Sequence, residues 1–309
     1  MKNTILAMTL IISLQSLNGQ MQQAVERVAK DYGLMGLSVV AICDGKIAGD
    51  WYTGLRDYDR NLPVDENTKY RIASISKFVM TTAMMKLHES KMIDFDADAS
   101  DYLGFSLKNP NHPGTPVTVK MLLLHTGSLN EGSGYDGFLA ATYNNVGNPP
   151  SFSELFVPGG KYYTDDMWRK EAPGDYYTYC NANFGLAGTI IERITGQRFE
   201  EYIQKNLFIP LGITGSYIAE GVTDINNLAV IYGNDNGNWV PGTDNFRGVM
   251  SAPRDFSGYV TGTNAAVFSP QGGLRISAAG LARIMILHMN KGKYEGQRIV
   301  SKKSIKLMH

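Results

Sequence analysis

Apolar positions recur along this chain with a period that changes from one stretch to the next. From Met21 to Tyr32 the spacing is helical, with Val25, Val28 and Ala29 on one face and Gly33 as the stop. Leu37 to Ile42 is a continuous β-rich run, and Ile47 to Thr53 is a second one. Asp44-Gly45 lies between them, a pair that signals a type I′ hairpin. The chain therefore opens helix, strand, turn, strand. That antiparallel start differs from the strand, glycine loop and helix of a dinucleotide-binding unit.

Ser74 to Lys91 predicts a long helix, with Ile75, Phe78, Val79, Ala83 and Leu87 falling three and four apart. Between Asp94 and Gly174 the chain is rich in Asp, Asn, Gly, Pro and Tyr, which predicts short helices and long loops. Phe184 to Thr195 predicts a second helix, capped by Gly196, and Phe199 to Leu207 a third, closed by Pro210. Ile213 to Thr263 is again loop-rich, with Gly-Asn-Asp-Asn-Gly-Asn at 233–238. Ser277 to Met289 predicts a late helix with Leu281, Ile284 and Met285, and Ser301 starts another.

The first residues read differently. Lys2 precedes an apolar run from Ile5 to Leu14, too short for the about 20 apolar residues of a membrane span. A basic start, a short apolar stretch and a small residue ahead of a polar segment describe a secretory signal over residues 1–19, cleaved near Gly19-Gln20. The mature protein is then expected in the periplasm or outside the cell, with no membrane span.

Composition narrows the classes. With 43% hydrophobic and 19% charged residues, the chain can bury a sizeable core and is not a disordered segment. Its 29 basic and 29 acidic side chains balance, which argues against nucleic-acid binding. Two cysteines, Cys43 and Cys180, leave open either a disulfide or two buried free thiols. The five histidines are scattered and no H-E-x-x-H occurs, so neither a metal nor a cofactor is expected.

One segment carries chemistry. In Ser74-Ile75-Ser76-Lys77 a hydroxyl and an amine stand three apart at a helix start, so they share a face. The unpaired N–H groups and positive dipole of that helix end suit an oxyanion. An amine shielded from water can serve as a base. The second signal is Tyr179-Cys180-Asn181, preceded by Pro173-Gly174 and followed at once by a helix. Its phenol can relay a proton and its amide can hold a substrate carbonyl. By pattern alone His112 and His125 read as structural, Trp168, Tyr162 and Tyr163 as loop packing, Asp165-Asp166 as a solvated turn, and Arg71 as a surface ion-pair partner.

Taken in order, Ser74-x-x-Lys77, Leu122-Leu123-Leu124-His125-Thr126-Gly127, and the Pro173–Gly188 segment resemble the serine β-lactamase-related family. That family includes class C β-lactamases, DD-peptidases of the penicillin-binding-protein type, D-aminopeptidases and esterases. Further similarity runs through Ile190–Gly196, Ile209–Gly212 and Gly272–Ser277, covering about residues 25 to 309. The resemblance implies an α+β fold in which an antiparallel sheet lobe (20–65 and 265–309) flanks a mostly helical lobe (66–264). It implies that Ser74 is acylated by an amide or ester, that Lys77 takes or relays its proton, that Tyr179 passes a proton to the leaving group, and that Asn181 holds Lys77 and the substrate amide. Small-molecule or peptide substrates are the implied partners.

The family's third motif, K-[ST]-G or H-x-G on a late strand, has no counterpart after the tyrosine motif. The expectation is a chain cut short before that strand, with an incomplete sheet. The alternative is an inert relative that binds cell-wall peptide or protein.

Overall fold

A computed structural model describes residues 18–250 and 252–309. The export signal expected over residues 1–19 lies almost wholly outside the described residues. The chain opens with helix α1 (18–31), then strands β1 (Gly36–Cys43), β2 (Lys46–Asp57), β3 (Leu62–Pro63) and β4 (Lys69–Arg71). Helix α2 (Ile75–Glu89) follows, and then the short helices α3 (Ser100–Leu103), α4 (Val119–Leu123), α5 (Tyr135–Asn144) and α6 (Ser153–Phe156). Helices α7 (Ala182–Thr195) and α8 (Phe199–Ile203) precede a hairpin of β5 (Tyr232–Asp235) and β6 (Asn238–Pro241). Strand β7 (Arg275–Ser277), helix α9 (Ala278–Met289), strands β8 (Lys293–Tyr294) and β9 (Gln297–Arg298), and helix α10 (Lys302–Met308) complete the order.

The opening hairpin forms as its turn demands. Asp44 and Gly45 have φ of 49° and 70°, and β1 pairs antiparallel with β2 from Cys43↔Lys46 to Gly36↔Gly54. Two successive positive φ values are the type I′ geometry that an Asp-Gly pair accepts at little cost. Helix α1 buries Val25 and Ala29, one turn apart, while Val28 is left exposed. Its buried stripe is a single row, narrower than the periodicity suggests.

Helix α2 departs the other way. Val79, Met80, Ala83 and Met84 are wholly buried, and Ser76, Lys77, Thr82, Met85 and Leu87 are buried as well, whereas Ile75 is half exposed at its head. A helix covered on nearly every side runs through the middle of a protein instead of lying on its surface. Helix α7 is similar, with its first eleven residues all buried.

Two long-range connections set the site. Strand β4 pairs antiparallel with β7, matching Lys69↔Ser277 and Arg71↔Arg275. The ladder continues past both strands: the Ile72 N–H donates to the Leu274 carbonyl at 2.9 Å, and the Leu274 N–H to Ser76 Oγ at 3.1 Å. The residues just before α2 are thereby bound to those just before β7. On the second path, Arg275 forms a buried bidentate pair with Asp244, at 2.7 and 3.0 Å.

Several expectations are corrected. The loop-rich stretch 213–263 also holds a hairpin, where Asn236-Gly237 turns β5 into β6 with φ of 51° and 90°. The strands there are short and mostly exposed, so no apolar alternation announces them. The helix from Phe199 leaves α geometry after Ile203 and winds as a π-turn over Gln204–Phe208. Met285 of α9 is exposed. Both cysteines are free, but only Cys180 is buried, and Cys43 is exposed at the hairpin. Burial pushes the Cys180 thiol up to about 12, which makes it an inert core residue. Among the described residues no helix is long and apolar enough to cross a membrane.

Candidate active site

Ser74 stands immediately before α2 as its N-cap, with its side chain in the open. Ala73 ahead of it has φ of 47°, a left-handed conformation that a side-chain-bearing residue rarely takes. Held by the β4–β7 ladder on one side and by α2 on the other, this kink presents the serine to solvent. The Ser74 N–H has no hydrogen-bond acceptor among the described residues. It is an orphan donor at the positive end of a helix.

One turn into α2, Lys77 is buried while its amine reaches back toward the serine. Its Nζ lies 3.0 Å from Ser74 Oγ, 2.6 Å from the Tyr179 hydroxyl, 2.8 Å from Asn181 Oδ1 and 2.7 Å from the Gln271 carbonyl. The Tyr179 hydroxyl and Ser74 Oγ are 2.5 Å apart. The amine also faces the rings of Tyr179 and Phe184, at 4.8 and 5.5 Å from their centroids. An ammonium has three donors, and here four oxygens surround it. Two of these, Asn181 Oδ1 and the Gln271 carbonyl, can only accept. The other two are hydroxyls that can both donate and accept. All four residues expected at the site therefore meet at the Lys77 amine.

The sequence left two contributors unassigned. Gln271 donates nothing to Lys77 through its side chain; its main-chain carbonyl accepts from the amine. A backbone acceptor has no residue-type signature, although it adjoins the Gly272-Gly273 pair. Gln271 Nε2 donates to the Tyr143 hydroxyl at 3.0 Å, which fixes the segment to α5. Glu131 lies four residues after Gly127, and its carboxylate accepts the Asn181 main-chain N–H.

His125 is structural, as its pattern suggests, and its place is informative. Its Nδ1 accepts from the Cys180 N–H and from Asn183 Nδ2, each at 3.2 Å, and its carbonyl accepts from the Thr178 N–H at 2.8 Å. Its ring lies 4.6 Å from that of Tyr179. An Nδ1 that accepts two donors carries no proton. Burial, with the charge of Lys77 nearby, pushes the imidazole down to about 4. A neutral histidine thus clamps the tyrosine motif from behind. His112 has a similar modest task, pairing with the Lys170 carbonyl at 2.7 Å.

Of the remaining sequence candidates, only Arg71 reaches the cleft. Trp168 is buried against Phe156, and Asp166 ties down the loop at Ser133. Arg71 forms no ion pair among the described residues. It lines the cleft over Ser74 and donates from Nε to the Gly272 carbonyl at 3.1 Å. The β4–β7 pairing turns it inward, which a local reading could not foresee.

Comparison with known proteins bears on the fold that carries this arrangement. Protein flp of Staphylococcus aureus (strain N315) is 26% identical over 195 residues, which are 63% of this chain and 37% of that protein. The chain thus spans well under half the length of that curated relative. Among solved structures, an octameric penicillin-binding protein homologue from Pyrococcus abyssi superposes with a TM-score of 0.69 at 25% identity, covering 93% of this chain and 59% of that one. EstCE1, a hydrolase with promiscuous acyltransferase activity, superposes with a TM-score of 0.68 at 21% identity, covering 96% and 77%. These likenesses bear out the expected α+β, penicillin-binding-protein-like fold. The profile named Beta-lactamase matches residues 21–308, and with nearly the whole described chain accounted for, the protein belongs to the beta-lactamase family.

Proposed function

We propose that the protein is an exported serine hydrolase that forms an acyl-enzyme at Ser74 on an amide or ester substrate. The observation that carries this reading is the three-way contact of Ser74 Oγ, Lys77 Nζ and the Tyr179 hydroxyl, at 3.0, 2.6 and 2.5 Å. Export rests on the basic start and apolar run of the first residues.

In this reading Asn181 Oδ1 and the Gln271 carbonyl hold two N–H groups of Lys77 in either protonation state. A neutral amine then turns its lone pair to the hydroxyls, and an ammonium turns its third N–H there. The proton of Ser74 can pass to Lys77 directly or through Tyr179 without any heavy atom travelling far. Ser74 Oγ attacks the substrate carbonyl carbon, and the oxygen that gains charge meets the orphan Ser74 N–H. As the C–N or C–O bond breaks, Tyr179, exposed at the cleft, returns the proton to the leaving group. Water then attacks the ester formed at Ser74 by the same path in reverse.

A fluorophosphonate or fluorescent penicillin is expected to label Ser74, with the label lost in Ser74→Ala. Ester turnover is expected to fall by about 10⁴-fold or more in that variant. Label on another residue, or turnover that persists in Ser74→Ala, defeats the proposal.

A further inference from the structure

The histidines are scattered along the chain, but the fold brings two of them together away from Ser74. His288, buried near the end of α9, has its Nδ1 3.2 Å from Nε2 of His309, which is exposed just past α10. The two rings stand at 82° to each other, so they meet nitrogen to nitrogen instead of stacking. Neither lines the cleft over Ser74. A third helix sets the protonation of His288. The Thr82 hydroxyl, on α2, donates its one proton to the Phe78 carbonyl at 2.9 Å. Toward His288 Nε2, 3.0 Å away, the same oxygen can then only accept. The ring proton of His288 therefore sits on Nε2, and Nδ1 turns a bare lone pair toward His309. The Phe78 ring, 4.5 Å away between centroids, packs against this imidazole and holds its plane.

An imidazole that donates from one nitrogen and bares the other is in the form that ligates a metal. Two imidazole nitrogens at about 2.0–2.1 Å from one tetrahedral zinc stand about 3.3–3.4 Å apart. The 3.2 Å between His288 and His309 is close to that spacing. Among the described residues no third His, Cys, Asp or Glu joins them, so water completes the coordination on the exposed side of His309. We propose that His288 Nδ1 and His309 Nε2 bind a divalent metal of the zinc type, with Thr82 as the partner that orients His288. Without metal, His309 Nε2–H donates to His288 Nδ1. On binding, that proton moves to Nδ1 of the exposed His309 ring, so both ligands stay neutral and none is released. The ion then fastens the end of α10 to α9 and, through Thr82, to α2. The start of α10 is already tied to α2, since the Ser301 N–H donates to Glu89 at 2.6 Å. The inference is independent of the acyl-enzyme reading.

Titration calorimetry of the full chain with Zn²⁺ alone tests this. The wild type is expected to bind one ion saturably, and its melting temperature to rise with zinc concentration. His309→Ala removes an exposed ligand and leaves the core intact, and is expected to abolish both effects. Thr82→Val keeps the buried volume and removes only the hydroxyl that fixes the tautomer of His288. Zinc affinity is then expected to fall by about 10–100-fold. A cooperative melt of each variant without metal confirms that it is folded. Should Thr82→Val fail to fold, His309→Ala alone decides. No saturable binding by the wild type, binding that survives His309→Ala, or an affinity unchanged in folded Thr82→Val overturns the inference.

Discussion

Two polar nodes in this molecule are built alike and behave differently. At one, Lys77 gathers Ser74, Tyr179, Asn181 and Gln271 from three separate parts of the chain. At the other, Glu192 on α7 is wholly buried and accepts from the Tyr259 hydroxyl at 2.5 Å, the Gly262 N–H at 2.8 Å and the Phe199 N–H at 2.9 Å. Each charged side chain pins distant segments to a central helix. The difference lies in slack. The lysine has more oxygens than protons, two of them hydroxyls, and its partners Ser74 and Tyr179 open to solvent. The glutamate is shut in among donors that have nowhere else to turn. A spare acceptor lets a proton move, whereas a closed set of donors only holds a loop. Chemistry is thus legible from hydrogen-bond surplus as well as from residue type.

The comparison breaks most sharply at the lysine. Lys77→Met keeps the buried length and removes the proton carrier. Ester turnover is expected to fall by about 10³-fold or more, with cooperative unfolding retained in a thermal melt. A variant that keeps a tenth of the activity would mean that Tyr179 alone suffices as base.

At the glutamate the loss is expected in stability. Glu192→Ala strands three buried donors and leaves a cavity, and is expected to cost about 3–5 kcal/mol in denaturant unfolding. Labelling of Ser74 by a fluorophosphonate, measured on the folded fraction, is expected to continue at the wild-type rate. A selective loss of labelling instead would show that the two nodes are coupled through α7.

The smallest effect is one of pH. Burial pushes the Glu192 carboxyl up to about 7, against the pull of its three donors, and burial pushes neighbouring Glu200 up to about 7 as well. For a carboxyl raised in the fold, the unfolded chain releases its proton first. The contribution to stability is therefore complete below the ordinary glutamate range and is lost as pH rises through about 7. The melting temperature of the wild type relative to Glu192→Gln is expected to decline between about pH 4.5 and 7 and to level off above. A flat difference across that range would show that the carboxylate is already charged in acid.

Much of the local structure was legible from neighbours in the chain. Asp44-Gly45 requires a turn because few other pairs accept two positive φ values. Ser74 and Lys77 meet because residues three apart share a helix face. Gly196 ends α7 in the left-handed conformation, φ 68°, as its position suggested. The β5–β6 hairpin is marked in the sequence only by Asn236-Gly237, because its strands are too exposed to alternate. Ile75 and Val28 fit the helical period yet stand exposed, because periodicity marks a possible apolar face and not how much of it finds a partner.

What the sequence by itself determined is which hydroxyl, amine, phenol and amide make up the candidate site, since each is a side-chain chemistry carried by a local motif. What only the tertiary structure decided is their convergence and their surroundings. The Gln271 carbonyl reaches Lys77 because β4 and β7 pair across about two hundred residues, and any residue type presents a carbonyl. Glu131 and Arg71 face the cleft, and His125 clamps the tyrosine motif, because of how separate segments pack. Motifs record chemistry that must be present in one place along the chain. Backbone groups and exposed charges acquire a role only from what the fold brings beside them.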